Sequence, residues 1–362
     1  MSRSSFWYTI IMSSDWTLVT GANGFLGARL VRRLVERGEK VKALVRAGAN
    51  LRELEDLPPE QVRIAVGDVR MMDRVYAALS SCSTMYHVAA TYSIDENRRK
   101  EIMADSLEGT KAVLEAARRA DVQKIVVTSS VAALGTTSEP EPMEEDAQFN
   151  LQDCNAYSAA KYAADQYTLE RAAAGQPIVI VNPGAIVGPG DWKPTPTGSQ
   201  IVEYLGHSPS FSMPYMPGGF SYADVDDVAD GHILAMQKGR VGERYLLGGE
   251  NLSVKDLYTL LSDVTGLAEP GKELSRGTIG RFAWGAELFG AWTGRPPVIT
   301  RKAINDFYGA YSFVNSDKAK KELGYDPRSA RQAIARSCRW YLDNDYVSKR
   351  AARRARLELH PA

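Results

Sequence analysis

The chain has 362 residues, enough for one large α/β domain or for such a domain with a smaller lobe. Its 44 Lys and Arg balance 44 Asp and Glu, so no global field draws it to nucleic acid or to a membrane, and any positive site must be local. Three cysteines (Cys82, Cys154, Cys338) and four histidines, all scattered, fit neither a disulfide framework nor a metal site and suit a reducing cytoplasm.

Residues 1–14 read as a loose extension, with Met12 as an alternative first residue. The apolar run from Phe6 to Met12 is far shorter than the roughly 20 residues that span a bilayer, and no clear cleavage site follows it. Short β-rich runs then alternate with helical patterns, the signature of a doubly wound parallel sheet. Strands are expected at 17–20, 41–45, 62–66, 85–88, 125–128 and 178–181. Helices at 26–37, 72–79, 106–120 and 156–174 carry apolar residues at three and four spacing. Together these place a nucleotide-binding domain at 15–183.

After Pro183 the chain turns rich in glycine and proline (Gly184, Gly188, Pro189, Gly190, Pro194, Pro196, Gly198). A smaller substrate lobe is expected over 184–345, above the carboxyl edge of the sheet where open α/β sheets bind ligands. The chain is expected to return to the main domain near 220–238. A tail over 346–362, with Lys349, Arg350, Arg353, Arg354 and Arg356, reads as a solvated helix end.

The first expected strand runs into Thr20-Gly21-Ala22-Asn23-Gly24-Phe25-Leu26-Gly27 and then a helix. Such a turn brings backbone N–H groups and a helix N-terminus to a pyrophosphate with no Cβ in the way. The strand before and the helix after meet the structural condition for this motif. The second strand ends on Arg46, where an acidic residue would bind the ribose 2′-hydroxyl of NAD; a guanidinium there suits the 2′-phosphate of NADP, and Arg52 offers a second contact. Asp68, followed by Val69, stands where a carboxylate can accept from the adenine amino group. Ala89 and Ala90 are small enough for a cofactor to lie flat, and His87 before them reads as a packed strand residue.

Thr128, Ser129 and Ser130 close the fifth strand, and Tyr157 and Lys161 stand at i,i+4 spacing on the next long helix. A free phenol, with its pKa near 10, is poorly matched to proton transfer at neutral pH. A lysine on the same helix face favours its ionised form. In this reading Tyr157 donates the proton, Ser130 anchors a carbonyl oxygen, and Lys161 tunes Tyr157 and reaches the nicotinamide ribose. Alanines at 159, 160, 163 and 164 suit close packing, and a homodimer is expected through the helices at 106–120 and 156–174.

These motifs resemble those of the extended short-chain dehydrogenases/reductases, the NAD-dependent epimerase/dehydratase superfamily. Asn182-Pro183-Gly184, Val187-Gly188-Pro189 and Lys320-Lys-Glu-Leu-Gly-Tyr325 extend the match from about Trp16 to Leu342. Within that group the chain is similar to dihydroflavonol 4-reductase-like proteins and to hopanoid-associated sugar epimerases. The resemblance implies a Rossmann fold and a nicotinamide cofactor, with Pro183 among the residues against it. Three positions depart from the pattern: Pro217-Gly218-Gly219 and Asn182 stand where enzymes of nucleotide sugars carry arginines, and Ser106 stands where an asparagine is usual. Without those cations a diphosphate loses charge-assisted bonds worth about 1.5–3 kcal/mol each.

The expected activity is therefore an NADPH-dependent reduction of a ketone or aldehyde in a small, moderately hydrophobic substrate. Its pocket wall would draw on Thr91, Tyr92, Ser130, Trp192, Phe211, Met213, Met216 and Phe220. An NAD(P)-dependent sugar epimerase and a non-catalytic NADP-sensing regulator are the alternatives. Neither nucleic acid nor membrane is an expected partner.

Overall fold

The computed structural model describes residues 16–90, 98–151, 154–207, 212–293 and 301–355. In chain order its first half holds β1 (Trp16–Thr20), α1 (Phe25–Glu36), β2 (Lys40–Val45), β3 (Val62–Val66), α2 (Met72–Ala78), β4 (Cys82–His87), α3 (Arg99–Met103), α4 (Gly109–Arg119), β5 (Lys124–Thr128), α5 (Ala156–Ala173) and β6 (Ile178–Pro183). The second half holds β7 (Ala185–Val187), α6 (Pro196–Gly206), β8 (Gly218–Asp224), α7 (Val225–Lys238), β9 (Arg244–Leu247), β10 (Glu250–Ser253), α8 (Val254–Thr265), α9 (Arg276–Thr293), α10 (Arg301–Phe307), β11 (Ala310–Ser312), α11 (Ala330–Asp343) and α12 (Lys349–Ala352).

Seven parallel strands form the main sheet in the order β3-β2-β1-β4-β5-β6-β9. The strand order reverses between β1 and β4, which opens a crevice at their carboxyl ends. β1 is buried along its whole length, as a central strand covered on both faces must be. On one face α1 packs through Leu26, Leu30, Val31 and Leu34 in a core shared with Val228 and Ile233 of α7. On the other, Val113, Leu114, Ala116 and Ala117 of α4 and Val75 of α2 cover Leu18, Met85 and Ile125.

The expected six strands are all present, with small shifts at their ends, the largest at β4. β4 begins at Cys82 and stops at His87, so Val88 lies past it. A seventh strand, β9, follows the Gly242 turn and is too short for its period to stand out in the sequence. The single helix expected over 106–120 is interrupted. α3 passes through a π-helical segment, Ala104–Glu108, before α4 begins, and Thr110 Oγ1 donates to the Ser106 carbonyl at 2.7 Å across it.

Only part of the expected return to the main domain occurs. α7 packs on α1, but β8 belongs to a second, smaller sheet of order β10-β8-β11, with β7 also paired to β8. This lobe has its own core of Ile201, Tyr204, Tyr222, Leu257, Leu261, Ile334 and Tyr341. Carboxylates at the β8–α7 junction clamp it to the main domain. Asp226 takes Arg29 of α1 at 2.7 Å and Arg336 of α11 at 2.6 Å, and Asp227 takes Arg328 at 2.8 Å.

Candidate active site

The glycine turn is defined by what its backbone touches. Gly21 has φ +66°, and a Cβ on it would sit 2.7 Å from the Ala89 Cα, so β1 and the end of β4 meet with no side chain between them. A Cβ on Gly27 would fall 2.1 Å from the Gly21 carbonyl oxygen, which closes α1 onto its own turn. At Gly24 the nearest atom would be that same oxygen at 3.2 Å. Asn23 donates to the Asn50 carbonyl at 3.3 Å and thereby ties the turn to the loop after β2.

Arg46 is exposed at the start of that loop, directly after β2. Asp68 is held below the usual carboxylate range, first by its hydrogen bond with Arg70 (2.6 Å) and also by the charge of Arg46. Arg52 lies over the Trp192 ring at 4.1 Å, so its guanidinium is stacked between the cofactor loop and the lobe. Val69 packs against Gly109 at the head of α4.

Ser130 follows β5 and caps a short turn, its Oγ accepting from Ala132 N at 3.2 Å. The hydroxyl hydrogen is left to donate elsewhere. α5 starts on an Asn155 cap that accepts from Ser158 N at 3.0 Å, which sets Tyr157 and Lys161 on the inward face. Burial raises the Tyr157 hydroxyl above the ordinary phenol value, and a hydrogen bond with Ser130 opposes that rise. Lys161 is buried, donates to the Thr128 carbonyl at 3.2 Å, and is pushed down to about 8 by desolvation, with Asp165 acting against the fall. Tyr157 and Ser130 are thus brought together as expected. The pull on Tyr157 comes from Ser130, while Lys161 is held one turn away by Thr128 and balanced by Asp165.

Behind this pair lies a network that motif reading does not find. Asp165 is one turn past Lys161 and fully buried; it accepts from Ser129 Oγ at 2.5 Å and pairs with Arg244 of β9. Asn182 donates to the Ser130 carbonyl at 2.9 Å and so holds the serine from below. The i,i+4 spacing of Lys161 and Asp165 was the available signal; the two partners come from the residue after β5 and from β9, far away in sequence.

His87 is a packed strand residue, as expected. Thr110 gives its hydrogen to Ser106, so His87 Nε2 donates to Thr110 (3.3 Å) while Nδ1 accepts from Thr20 Oγ1 (2.8 Å). His232 is similarly fixed: Nδ1 donates to the Val228 carbonyl at 2.7 Å and Nε2 accepts from Thr128 at 2.9 Å. Burial pushes His87 down to about 3 and His232 to about 4. Ser106 turns its hydroxyl to the Ala160 carbonyl at 3.3 Å, bracing α5. A cavity of about 10 Å³, the room of one water, lies among His87, Ser106, Thr110, Lys161 and Asp165.

The expected pocket wall fares less evenly. Met213 is buried in the lobe core. Trp192 meets Trp340 edge-on at 4.9 Å and donates to Glu53 at 2.5 Å, so its ring is engaged in joining lobe to domain. Phe220 is partly buried, with Tyr222 and Phe307 beside its ring. Thr91, Tyr92 and Phe211 lie outside the described residues.

Residues 17–248 match the model of the NAD dependent epimerase/dehydratase family. The chain belongs to this family. A relative from Synechocystis sp., named "Putative dihydroflavonol 4-reductase", is 37% identical over 343 residues, covering 93% of this chain and 97% of its own. "Sterol demethylase protein B" of Methylococcus capsulatus is 32% identical over 342 residues, covering 91% and 99%. Among solved structures, that of gox2253 has a TM-score of 0.80 at 36% identity, covering 92% of this chain and all of its own.

Family membership implies a nicotinamide nucleotide, and the turn at Gly21–Gly27 fits its pyrophosphate. α1 has no side-chain cap at Gly24 and no acidic residue in its first turn. By contrast, α5, α6, α7, α8 and α11 are each capped by an Asn, Thr, Asp or Ser side chain. The positive end of α1 is thus left available to an external anion. Among the described residues no group of His, Cys, Asp and Glu is arranged to hold a metal ion.

The two buried histidines make stability depend on pH. Each is neutral when folded, with a pKa below that of the unfolded chain, so unfolding takes up protons below pH 6.5 and stability present above it is lost as pH falls toward 4. Each contributes a slope of up to ~1.4 kcal/mol per pH unit in that window. Asp224, pushed up to about 7 by burial, acts in the opposite direction, so the comparison must be between variants. Denaturant titrations from pH 7 to 4.5 should show a shallower loss for His87→Gln than for wild type; equal slopes would contradict the assignment.

Proposed function

We propose that the protein is an NADPH-dependent reductase that passes hydride to a ketone or aldehyde carbon in a small, moderately hydrophobic substrate. The observation that carries this reading is the Ser130–Tyr157 pair at the carboxyl end of β5, on the same sheet edge as an uncapped α1. A bound dihydronicotinamide supplies the hydride. Ser130, already accepting from Ala132 N, has its hydroxyl hydrogen to donate to the carbonyl oxygen. Tyr157 gives its proton to that oxygen as negative charge develops there, so the carbonyl leaves as an alcohol and the phenolate is re-protonated from solvent. The Lys161 ammonium, held by Thr128 and balanced by Asp165, stabilises the transient phenolate.

Reduction of a small carbonyl compound is favoured over chemistry on a nucleotide sugar by two sites that cannot supply cations. A Cβ on Gly218 would meet the Ala310 carbonyl at 2.7 Å, and one on Gly219 the Phe313 ring at 2.6 Å, so neither position admits an arginine. Asn182 is buried and committed to Ser130. The names of the relatives, a reductase and a sterol demethylase protein, agree with reduction and with a hydrophobic substrate. Arg46 after β2 supports NADPH over NADH. The half-buried alanines Ala159 and Ala163 of α5 support a homodimer through α4 and α5.

Tyr157→Phe should lower kcat for carbonyl reduction by about 10²- to 10⁴-fold while NADPH binding stays within about twofold of wild type. Retained turnover would remove Tyr157 from its role. Arg46→Ala should weaken NADPH by roughly 10- to 100-fold, the loss of one charge-assisted contact, and leave NADH nearly unchanged. Equal losses for both nucleotides in a calorimetric titration would refute the NADPH preference.

A further inference from the structure

The loop after β2 carries two arginines whose charge is not used within the protein. Arg46 and Arg52 are both exposed, and among the described residues neither guanidinium has a hydrogen-bonded or ion-paired partner. Arg29, Arg32 and Arg33 of the adjacent α1, by contrast, are each paired with an aspartate. Arg52 is nonetheless not left to wander. Its guanidinium lies over the Trp192 ring at 4.1 Å, and its backbone N donates to Asn50 Oδ1 at 2.9 Å, while the Asn50 carbonyl accepts from Asn23 of the glycine turn. The side chain is thus fixed at both ends, its backbone to the cofactor turn and its head to the smaller lobe.

Trp192 is itself held from three sides. Its Nε1 donates to Glu53 at 2.5 Å, its carbonyl accepts from Tyr346 Oη at 2.7 Å, and the Trp340 ring meets it edge-on. The loop that bears it crosses the start of α1, where a Cβ on Gly190 would lie 3.7 Å from Arg29 Cδ and 4.0 Å from the Phe25 ring. A residue of the lobe therefore stands over the adenosine side of the cofactor crevice.

We propose that Trp192 is a specificity-determining residue for the cofactor, a positioning residue that holds the Arg52 guanidinium, beside Arg46, for the 2′-phosphate of NADPH. A guanidinium offers a flat face and an edge of N–H donors, and stacking on an indole uses only the face. The edge remains free to grip a phosphate through paired hydrogen bonds. An exposed arginine must give up rotamer freedom to make that grip, and one already stacked gives up less. NADH presents a ribose hydroxyl at the same place and gains little from the cation, so the stack changes the ratio of the two affinities rather than both together. This inference rests on the NADPH reading above and moves part of the cofactor choice from the nucleotide-binding domain to the lobe. A contact that merely joined lobe to domain would act on both nucleotides alike.

Calorimetric titration of the full chain with NADPH and with NADH, alongside melting curves, separates the two roles. Arg52→Gln should lower the NADPH-to-NADH affinity ratio by about tenfold. Trp192→Leu should lower it by about three- to tenfold with NADH affinity within about twofold of wild type, and Trp192→Phe, which keeps a ring but loses the bond to Glu53, should retain most of it. Trp192→Leu added to Arg52→Gln should lower the ratio no further than Arg52→Gln alone. An unchanged ratio in Trp192→Leu, or equal losses for both nucleotides, would overturn the proposal and leave Trp192 as a tie between lobe and domain. Should the leucine variant not fold, Arg52→Lys carries the same test: an ammonium without a flat face should lower the ratio by about threefold or more, and an unchanged ratio would overturn the proposal. A wild type that binds both nucleotides equally would refute the NADPH reading and this proposal with it.

Discussion

The whole carboxyl edge of the sheet rests on two places where no side chain fits. Gly21 lies against the Ala89 backbone, and Gly27 lies against the Gly21 carbonyl, so β1, α1 and β4 converge within one turn of chain. A methyl group at either position would push the helix off its strand. That convergence fixes where the positive end of α1 points and leaves it uncapped, the arrangement that a pyrophosphate needs. Thr20 and His87 reinforce it from behind, the threonine receiving Val88 N and Ala89 N at 3.2 Å each.

A second constraint governs the chemistry. Lys161 is buried and Tyr157 half-buried, and burial alone would disfavour the charged form of each. Asp165 offsets this for Lys161, and it can do so only because Ser129 and Arg244 satisfy its own oxygens in a site closed to solvent. Arg244 reaches the site because β9 adds to the sheet edge beside β6, and so a late strand of the chain supports the catalytic helix. The burial of Asp165 and the tuning of Lys161 are parts of one electrostatic arrangement that spans β5, α5 and β9.

The sequence was informative where chemistry is local. The glycine turn, the strand end at Thr128–Ser130 and the helical spacing of Tyr157 and Lys161 are each contained in a few residues, and the parallel sheet follows from alternating strand and helix periods. Contacts made between distant segments were not legible. Arg244 pairs with Asp165 across 79 positions, and the Arg29 and Arg336 clamp on Asp226 joins three elements. Aromatic residues misled for a related reason. Trp192 and Met213 have the composition of a pocket wall, but packing between lobe and domain claims the first and the lobe core the second.

The central claim is that hydride leaves the nicotinamide for a substrate carbon and does not return. The most direct measurement supplies NADPH deuterated at the transferring position together with a panel of ketones and aldehydes, and follows the label by mass spectrometry. The account predicts one deuterium on the carbinol carbon of each alcohol formed, matched by an equal amount of NADP+. Product that carries no label, formed with the cofactor pool unchanged, would contradict it and identify the site as one that takes a hydride and gives it back.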